Sequence, residues 1–197
     1  MGNALNVQVG KPKATGAIFK APLGTALPVN ETTALAAAYV DHGYASSEGL
    51  TKAITKAFTE IKEWGGKTVL RPQTEVGVNI NFKLIEVVGV TGGVVAKTVF
   101  GASAVTVTPA TSSTGTKIAL AYKGDELPNG VWAFDMVNPS TNALRRVIAA
   151  NAQVTNEDFT QTYSGESAIE IPVQLTCFPD ALGNFFYEYS DDGIFSV

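Results

Sequence analysis

From Glu75 to Leu84 the chain alternates without a break, with Val76, Val78, Ile80, Phe82 and Leu84 on one side and Glu75, Gly77, Asn79, Asn81 and Lys83 on the other. A period of two puts one row of side chains in a core and the other in water, which only an extended strand does. The segment Ala168 to Cys177 repeats the pattern, setting Ile169, Ile171, Val173, Leu175 and Cys177 against Ala168, Glu170, Pro172, Gln174 and Thr176. Two half-buried strands follow from these segments. Pro172 has no N–H to give to a ladder, so a bulge or a local edge is predicted at that position.

Weaker alternation covers Ala104 to Thr108, Lys117 to Lys123, Val131 to Val137, Ala143 to Thr155 and Phe185 to Tyr189, with turn formers such as Pro109, Gly124, Pro128-Asn129-Gly130 and Asn138-Pro139 between. Many short strands at this spacing predict a mainly β chain, an antiparallel sandwich or barrel-like domain. One or two short helices join it. Asn30 can cap a helix from Glu31 through Ala38 that Gly43 would end, with Leu35 and Tyr39 facing the core. A second helix is read from Gly93 to Phe100, closed by Gly101. The division predicted is an N-terminal arm over residues 1–15, polar and without a core of its own, and a single β domain over 16–197. Within that domain, residues 51–72 mix Lys52, Lys56, Glu60, Lys62 and Glu63 with Ile54, Phe58, Ile61, Trp64 and Leu70. They read as a long loop, and long loops are functional or mobile. Trp64 before Gly65-Gly66 is costly to leave in water and is expected to insert into something, an adjacent subunit or, as the alternative, its own domain.

Charge narrows the function classes. The 197 residues are 45% hydrophobic and 16% charged, too apolar for wholesale disorder, and 14 Lys+Arg against 18 Asp+Glu give −4. No net field draws nucleic acid or an anionic membrane to such a surface. Met1 to Lys20 lacks the apolar core of a signal peptide, and the run Ala34 to Val40 falls far short of the roughly 18 residues of a membrane span. Neither targeting nor membrane insertion is expected, and Asn6 stands where N-myristoylation wants Ser or Thr. One cysteine, Cys177, and one histidine, His42, exclude an internal disulfide and leave carboxylates alone for metals.

Catalytic motifs fail on inspection. Gly66-Lys67-Thr68 has Ile61 where a phosphate loop needs glycine. The stretches Gly101 to Val105 and Gly165 to Ile169 approach the hydrolase elbow but lack its last glycine. His42 reads as a helix-end residue, Cys177 as a small core residue, and Asp191-Asp192-Gly193 as a turn without the spaced acids of a calcium loop. Arg145 and Arg146, adjacent in a strand, point to opposite faces, so one is solvated or paired at an interface. No catalytic residue, metal or cofactor is expected, and the chain is read as not an enzyme. The polar strand faces, the arm and the Trp-tipped loop instead suit a chain that meets copies of itself.

The segment Ala21-Pro22-Leu23-Gly24-Thr25-Ala26-Leu27-Pro28, then Thr32-Thr33-Ala34-Leu35, Gly43-Tyr44 and Glu48-Gly49-Leu50-Thr51, resembles the opening of the major tail proteins of long-tailed bacteriophages, the tail tube subunits. Ile61-Lys62-Glu63-Trp64-Gly65-Gly66-Lys67-Thr68-Val69, Lys97-Thr98-Val99-Phe100-Gly101 and the stretch Leu144 to Thr155 are similar to later parts of these proteins. The resemblance runs over most of the chain and is weakest in Met1 to Thr15 and the last dozen residues.

That resemblance implies a structural virion protein whose subunits form hexameric rings, each giving strands to a continuous inter-subunit β-barrel. The rings stack into the hollow tube through which DNA leaves. It further implies a tape-measure protein and tail terminator or tip proteins as partners, and a place in the virion tail, with host cytoplasm during assembly. If the apolar faces of the two clearest strands meet the core, Glu75, Asn79, Asn81, Glu170, Gln174 and Thr176 face the lumen. A wall poor in Lys and Arg would let DNA slide, because each phosphate neutralised adds affinity. Lys83 departs from that pattern and is expected near a carboxylate. Phe58, Ile61, Trp64, Gly65, Gly66, Leu70 and Arg71 are the candidates for contact with an adjacent subunit or ring. The alternative is a carbohydrate- or protein-binding β-sandwich on a virion or cell surface, using Phe185-Phe186-Tyr187 and Tyr189 as its platform.

Overall fold

The computed structural model describes residues 7–13 and 17–194. In chain order these form β1 (Lys11–Pro12), β2 (Ile18–Pro22), β3 (Val40–Asp41), β4 (Ala45–Phe58), β5 (Ile61–Lys62), β6 (Thr68–Leu70), β7 (Gln73–Leu84), α1 (Gly89–Phe100), β8 (Val105–Thr108), β9 (Lys117–Leu120), β10 (Gly130–Val137), β11 (Leu144–Val154), β12 (Ile171–Cys177) and β13 (Tyr187–Asp191). The main sheet runs β3-β2-β10-β11-β12-β7-β4, with β1 beside β10 and β13 beside β11, and β5-β6 and β8-β9 are separate hairpins. Every pairing is antiparallel.

The long β11 turns this sheet into two layers. Its first half, Leu144–Ile148, pairs with β13, and its last residues, Ala152–Val154, pair with β12. Three steps separate β10 from β7 in the sheet, about 14 Å if it were flat. The Phe82 ring of β7 nevertheless lies 5.8 Å from Trp132 and 5.5 Å from Phe134 of β10. The sheet therefore curls back on itself, and its core is the inner rows of β7 and β12 packed on Trp132, Phe134 and Val95 and Val99 of α1. A second cluster, Ala21, Tyr39, Val131, Ala133 and Ile148, fills the other face of β10 and β11. Buried on both sides, β10 reads Gly-Val-Trp-Ala-Phe-Asp-Met-Val and lacks the alternation that β7 and β12 keep.

The helix predicted from Gly93 starts earlier, at Gly89, and ends where expected at Gly101. Gly93 is where it approaches the β8-β9 hairpin: a Cβ there would stand 2.7 Å from Val107.

The helix expected over Glu31–Ala38 does not form. Asn30 does cap, its Oδ1 accepting from the Thr32 and Thr33 amides at 3.1 and 2.6 Å. The Arg146 guanidinium, however, donates to the carbonyls of Asn30 and Thr33 at 3.0 and 2.6 Å. Those acceptors would otherwise start the helical ladder, so tertiary bonding wins over local propensity. Gly43 holds the left-handed conformation foreseen (φ 74°) but turns the chain from β3 into β4.

The loop expected over residues 51–72 is also corrected. Thr51 to Phe58 belong to β4, which pairs along β7 as far as Phe58 and Gln73, and the β5-β6 turn closes this long hairpin. Of the arm expected over residues 1–15, Lys11 and Pro12 lie against Val137 and Met136, while 1–6, 14 and 15 fall outside the described residues.

Candidate functional site

The alternation of β7 and β12 survives in the fold as a continuous polar face. Asn79 sits opposite Thr176 and Asn81 opposite Gln174, while Val78, Ile80, Phe82, Val173, Leu175 and Cys177 are buried behind them. On the other side of β7, Ala53 faces Asn79, Thr51 faces Asn81 and Ala57 faces Glu75. The same row of β4 therefore adds Thr51, Ala53, Thr55 and Ala57, and β11 adds Gln153 beside Thr176. The face is thus made of Thr, Ala, Asn, Gln and Gly77, and its charges lie at the ends.

At one end Lys83 donates to Glu48 at 2.7 Å and to Glu170 at 3.0 Å, so the one lysine out of pattern has its carboxylates, as expected. The bond from Glu48, then that from Glu170, holds the Lys83 ammonium above its ordinary range, and the Lys83 bond lowers Glu170. Glu170 lies just before β12. Glu75 stands apart at the other end, on the exposed hairpin. Pro172 occupies a local edge: β11 stops pairing at Val154, and the Asn156 side chain takes over. Its amide donates to the Pro172 carbonyl at 2.7 Å and its Oδ1 accepts from the Gln174 N–H at 2.7 Å. The N–H that proline lacks faces the side where no ladder remains.

Beyond Cys177 the β4-β7 hairpin loses its backing. The inner row continues through Ile54, Phe58 and Val76, and these are exposed. The tip carries Ile61 opposite Leu70, Arg71 over the Phe58 ring at 5.1 Å, and Trp64 fully exposed. Gly66 closes the turn, its N–H donating to the Glu63 carbonyl at 2.9 Å. Phe58, Ile61, Trp64, Gly65, Gly66, Leu70 and Arg71 are therefore brought together at one exposed extremity.

β4 is the part of this face that sequence reasoning missed. Its lysines, Lys52 and Lys56, share the apolar row, which hides the alternation. Lys52 reaches back to the Glu188 carboxylate and lies 4.1 Å over the Phe186 ring. The signal available was the small, uncharged row Thr51-Ala53-Thr55-Ala57.

Other candidate chemistry resolves into structure. His42 is buried against Trp132, rings 5.3 Å apart, and hydrogen bonds Val40 O and Thr98 Oγ1 at 2.9 Å each, so it does not end a helix. Desolvation by burial lowers its pKa to about 4. Burial raises the Cys177 thiol to about 11. Arg146 turns inward onto Asp135 at 2.6 and 2.7 Å, and Arg145 stays outside with Glu188 at 2.9 Å. Phe185, Phe186, Tyr187 and Tyr189 pack against the two core clusters rather than forming a platform. No three of His, Cys, Asp and Glu converge on a metal position among the described residues, and no described helix is long and apolar enough to cross a membrane.

Comparison with known proteins adds two findings. The phage tail tube protein family matches residues 4–193. Among solved structures the chain is similar to one described as the cryo-EM structure of the anti-feeding prophage cap (AFP tube terminating cap), at 12% identity over 97% of this chain and 100% of that chain, with a TM-score of 0.40. No curated protein sequence matches. With 190 consecutive positions from 4 to 193 matched, the chain belongs to the phage tail tube protein family and is a structural component of the virion tail.

Proposed function

We propose that copies of this chain close into hexameric rings that stack into a hollow tube, with the polar face of β4, β7 and β12 turned to the bore and DNA passing along it. The observation that carries this reading is the pairing of one uncharged face with one unbacked hairpin. An apolar row left exposed behind a solvated polar row favours association, and in the ring a neighbouring copy covers Ile54, Phe58 and Val76. Ring closure also gives β4, the free edge of the sheet, a partner.

Glu75, Asn79, Asn81, Glu170, Gln174 and Thr176, joined by Thr51, Ala53 and Thr55, form the wall. Its lack of unpaired cations keeps DNA from binding through counterion release. Phe58, Ile61, Trp64, Gly65, Gly66, Leu70 and Arg71 dock on an adjacent subunit or ring. The domain spans residues 16–197 with residues 1–15 as an arm, the chain performs no catalysis and needs no cofactor, and assembly takes place in the host cytoplasm. Open-ended stacking requires a length gauge and a stop, the roles of a tape-measure protein and a terminator.

Two substitutions test the reading. Trp64→Ala should leave circular dichroism unchanged and abolish tubes in negative-stain images; tubes at normal yield would remove the docking role. Asn79→Lys, Asn81→Lys and Gln174→Lys together should permit assembly but slow DNA ejection, and ejection at the unaltered rate would take this face off the bore.

A further inference from the structure

We infer that the receptor for the hairpin tip is a groove on a second copy, lined by Phe100, Tyr122 and Phe159 and rimmed by Asp125 and Glu126. This rests on the proposed docking of the tip and names the surface that receives it.

The groove measures about 510 Å³, within the range of sites that enclose a ligand group. Its floor is an aromatic trio: Phe100 meets Phe159 edge-on at 5.1 Å and Tyr122 edge-on at 6.2 Å. Tyr122 and Phe159 are exposed although both rings are apolar. Such a cluster offers an indole the edge-to-face contacts that aromatic pairs prefer. Gln153 lines the same groove; its amide donates to Leu127 O at 2.5 Å and Glu126 Oε1 at 3.3 Å, which leaves its own oxygen for an indole N–H. Asp125 and Glu126 make the rim of the groove acidic. The tip carries Lys62, Lys67 and Arg71 against Glu60 and Glu63 around Trp64, so the occupant combines an aromatic anchor with a net positive charge, and the groove matches both.

The tip cannot reach the groove of its own chain. Gln153 stands opposite Thr176, which stands opposite Asn79, so the groove lies six or more residues back along β7 from Gln73, about 20 Å at 3.3 Å per residue. The tip extends in the other direction and is held straight by the Thr59 N–H to Pro72 carbonyl bond at 3.1 Å and the Glu63 N–H to Lys67 carbonyl bond at 2.9 Å. Donor and receptor at separate levels of one chain make a heterologous, head-to-tail contact, the kind that closes into a ring or repeats along a filament according to its rotation.

Tubes grown from protein carrying photoreactive benzoylphenylalanine at position 64 test the assignment, because that residue keeps the aromatic bulk. Irradiation should join position 64 to a peptide of another copy containing Phe100, Tyr122 or Phe159, and cross-links confined to other segments would overturn it. As a second arm, Tyr122→Ala with Phe159→Ala should leave the monomer folded by circular dichroism and raise the concentration needed for tube growth about thirty-fold. Normal growth of that double variant, with Trp64→Ala still defective, would discard the groove and keep the docking. Normal growth of Trp64→Ala would discard both.

Discussion

One strand, β7, passes through two environments. From Val78 to Leu84 its inner row is buried to within 4% of full coverage by β10, β12 and α1, whereas Val76, one step further out on the same row, is 37% exposed. The residues obey one alternation throughout. The pattern therefore states that a face will be covered without stating by whom: in the body the chain itself covers it, and on the hairpin the proposed assembly leaves the covering to a neighbouring copy.

Substitutions in the two regions should separate these uses. The largest effect is expected at the body's buried ion pair. Arg146→Ala strands Asp135, which is 6% exposed, and releases the carbonyls of Asn30 and Thr33. A loss of about 3–5 kcal/mol follows from an unpaired buried charge, read by chemical denaturation, and a loss below about 1 kcal/mol would contradict the pairing.

Next comes a matched pair on one row of β7. Ile80→Ala, fully buried, should cost about 2–5 kcal/mol. Val76→Ala should change monomer stability by no more than roughly 0.5 kcal/mol while impairing tube growth. Equal costs in the monomer would erase the distinction between body and hairpin.

Acid gives a comparable but bounded effect. The native state holds His42 neutral down to about 4 through burial, whereas the unfolded chain binds a proton near its ordinary value of about 6.5. Stability from this site is therefore complete above pH 6.5 and declines as pH falls toward 4, by about 3 kcal/mol in all. His42→Gln should flatten that window in a pH series of denaturation curves. An unchanged slope would show that the imidazole is not the titrating group.

The smallest effect is chemical. Cys177, buried on the inner row of β12 with its thiol raised to about 11, should resist alkylation in the native protein and react fully once unfolded. Rapid native labelling would mean that the β12-β7 layer opens.

How much of this was legible in the sequence follows the same division. β7 and β12 announced themselves because each has a single buried face, and Cys177, Lys83 and Pro172 were placed correctly from their position in that pattern. β4 was hidden, since Lys52 and Lys56 occupy its inner row, and Lys52 is explained only by long-range partners, Glu188 and Phe186. The missing helix after Asn30 has a similar cause. Its cap is present, but Arg146, 116 residues away, takes the carbonyls that would have continued it. Local chemistry was readable, and what failed were contacts made at a distance. The groove at Phe100, Tyr122 and Phe159 is of that kind, assembled from a helix end and two loops with no common motif.

The most direct test is a cryo-EM reconstruction of tubes assembled from the purified chain. Asn79, Asn81, Gln174 and Thr176 should line the bore, with Ile54 and Val76 covered by a neighbouring subunit. A tube whose polar β4-β7-β12 face lies on the outside or against another subunit, or a hairpin left bare in the lattice, would contradict this assignment.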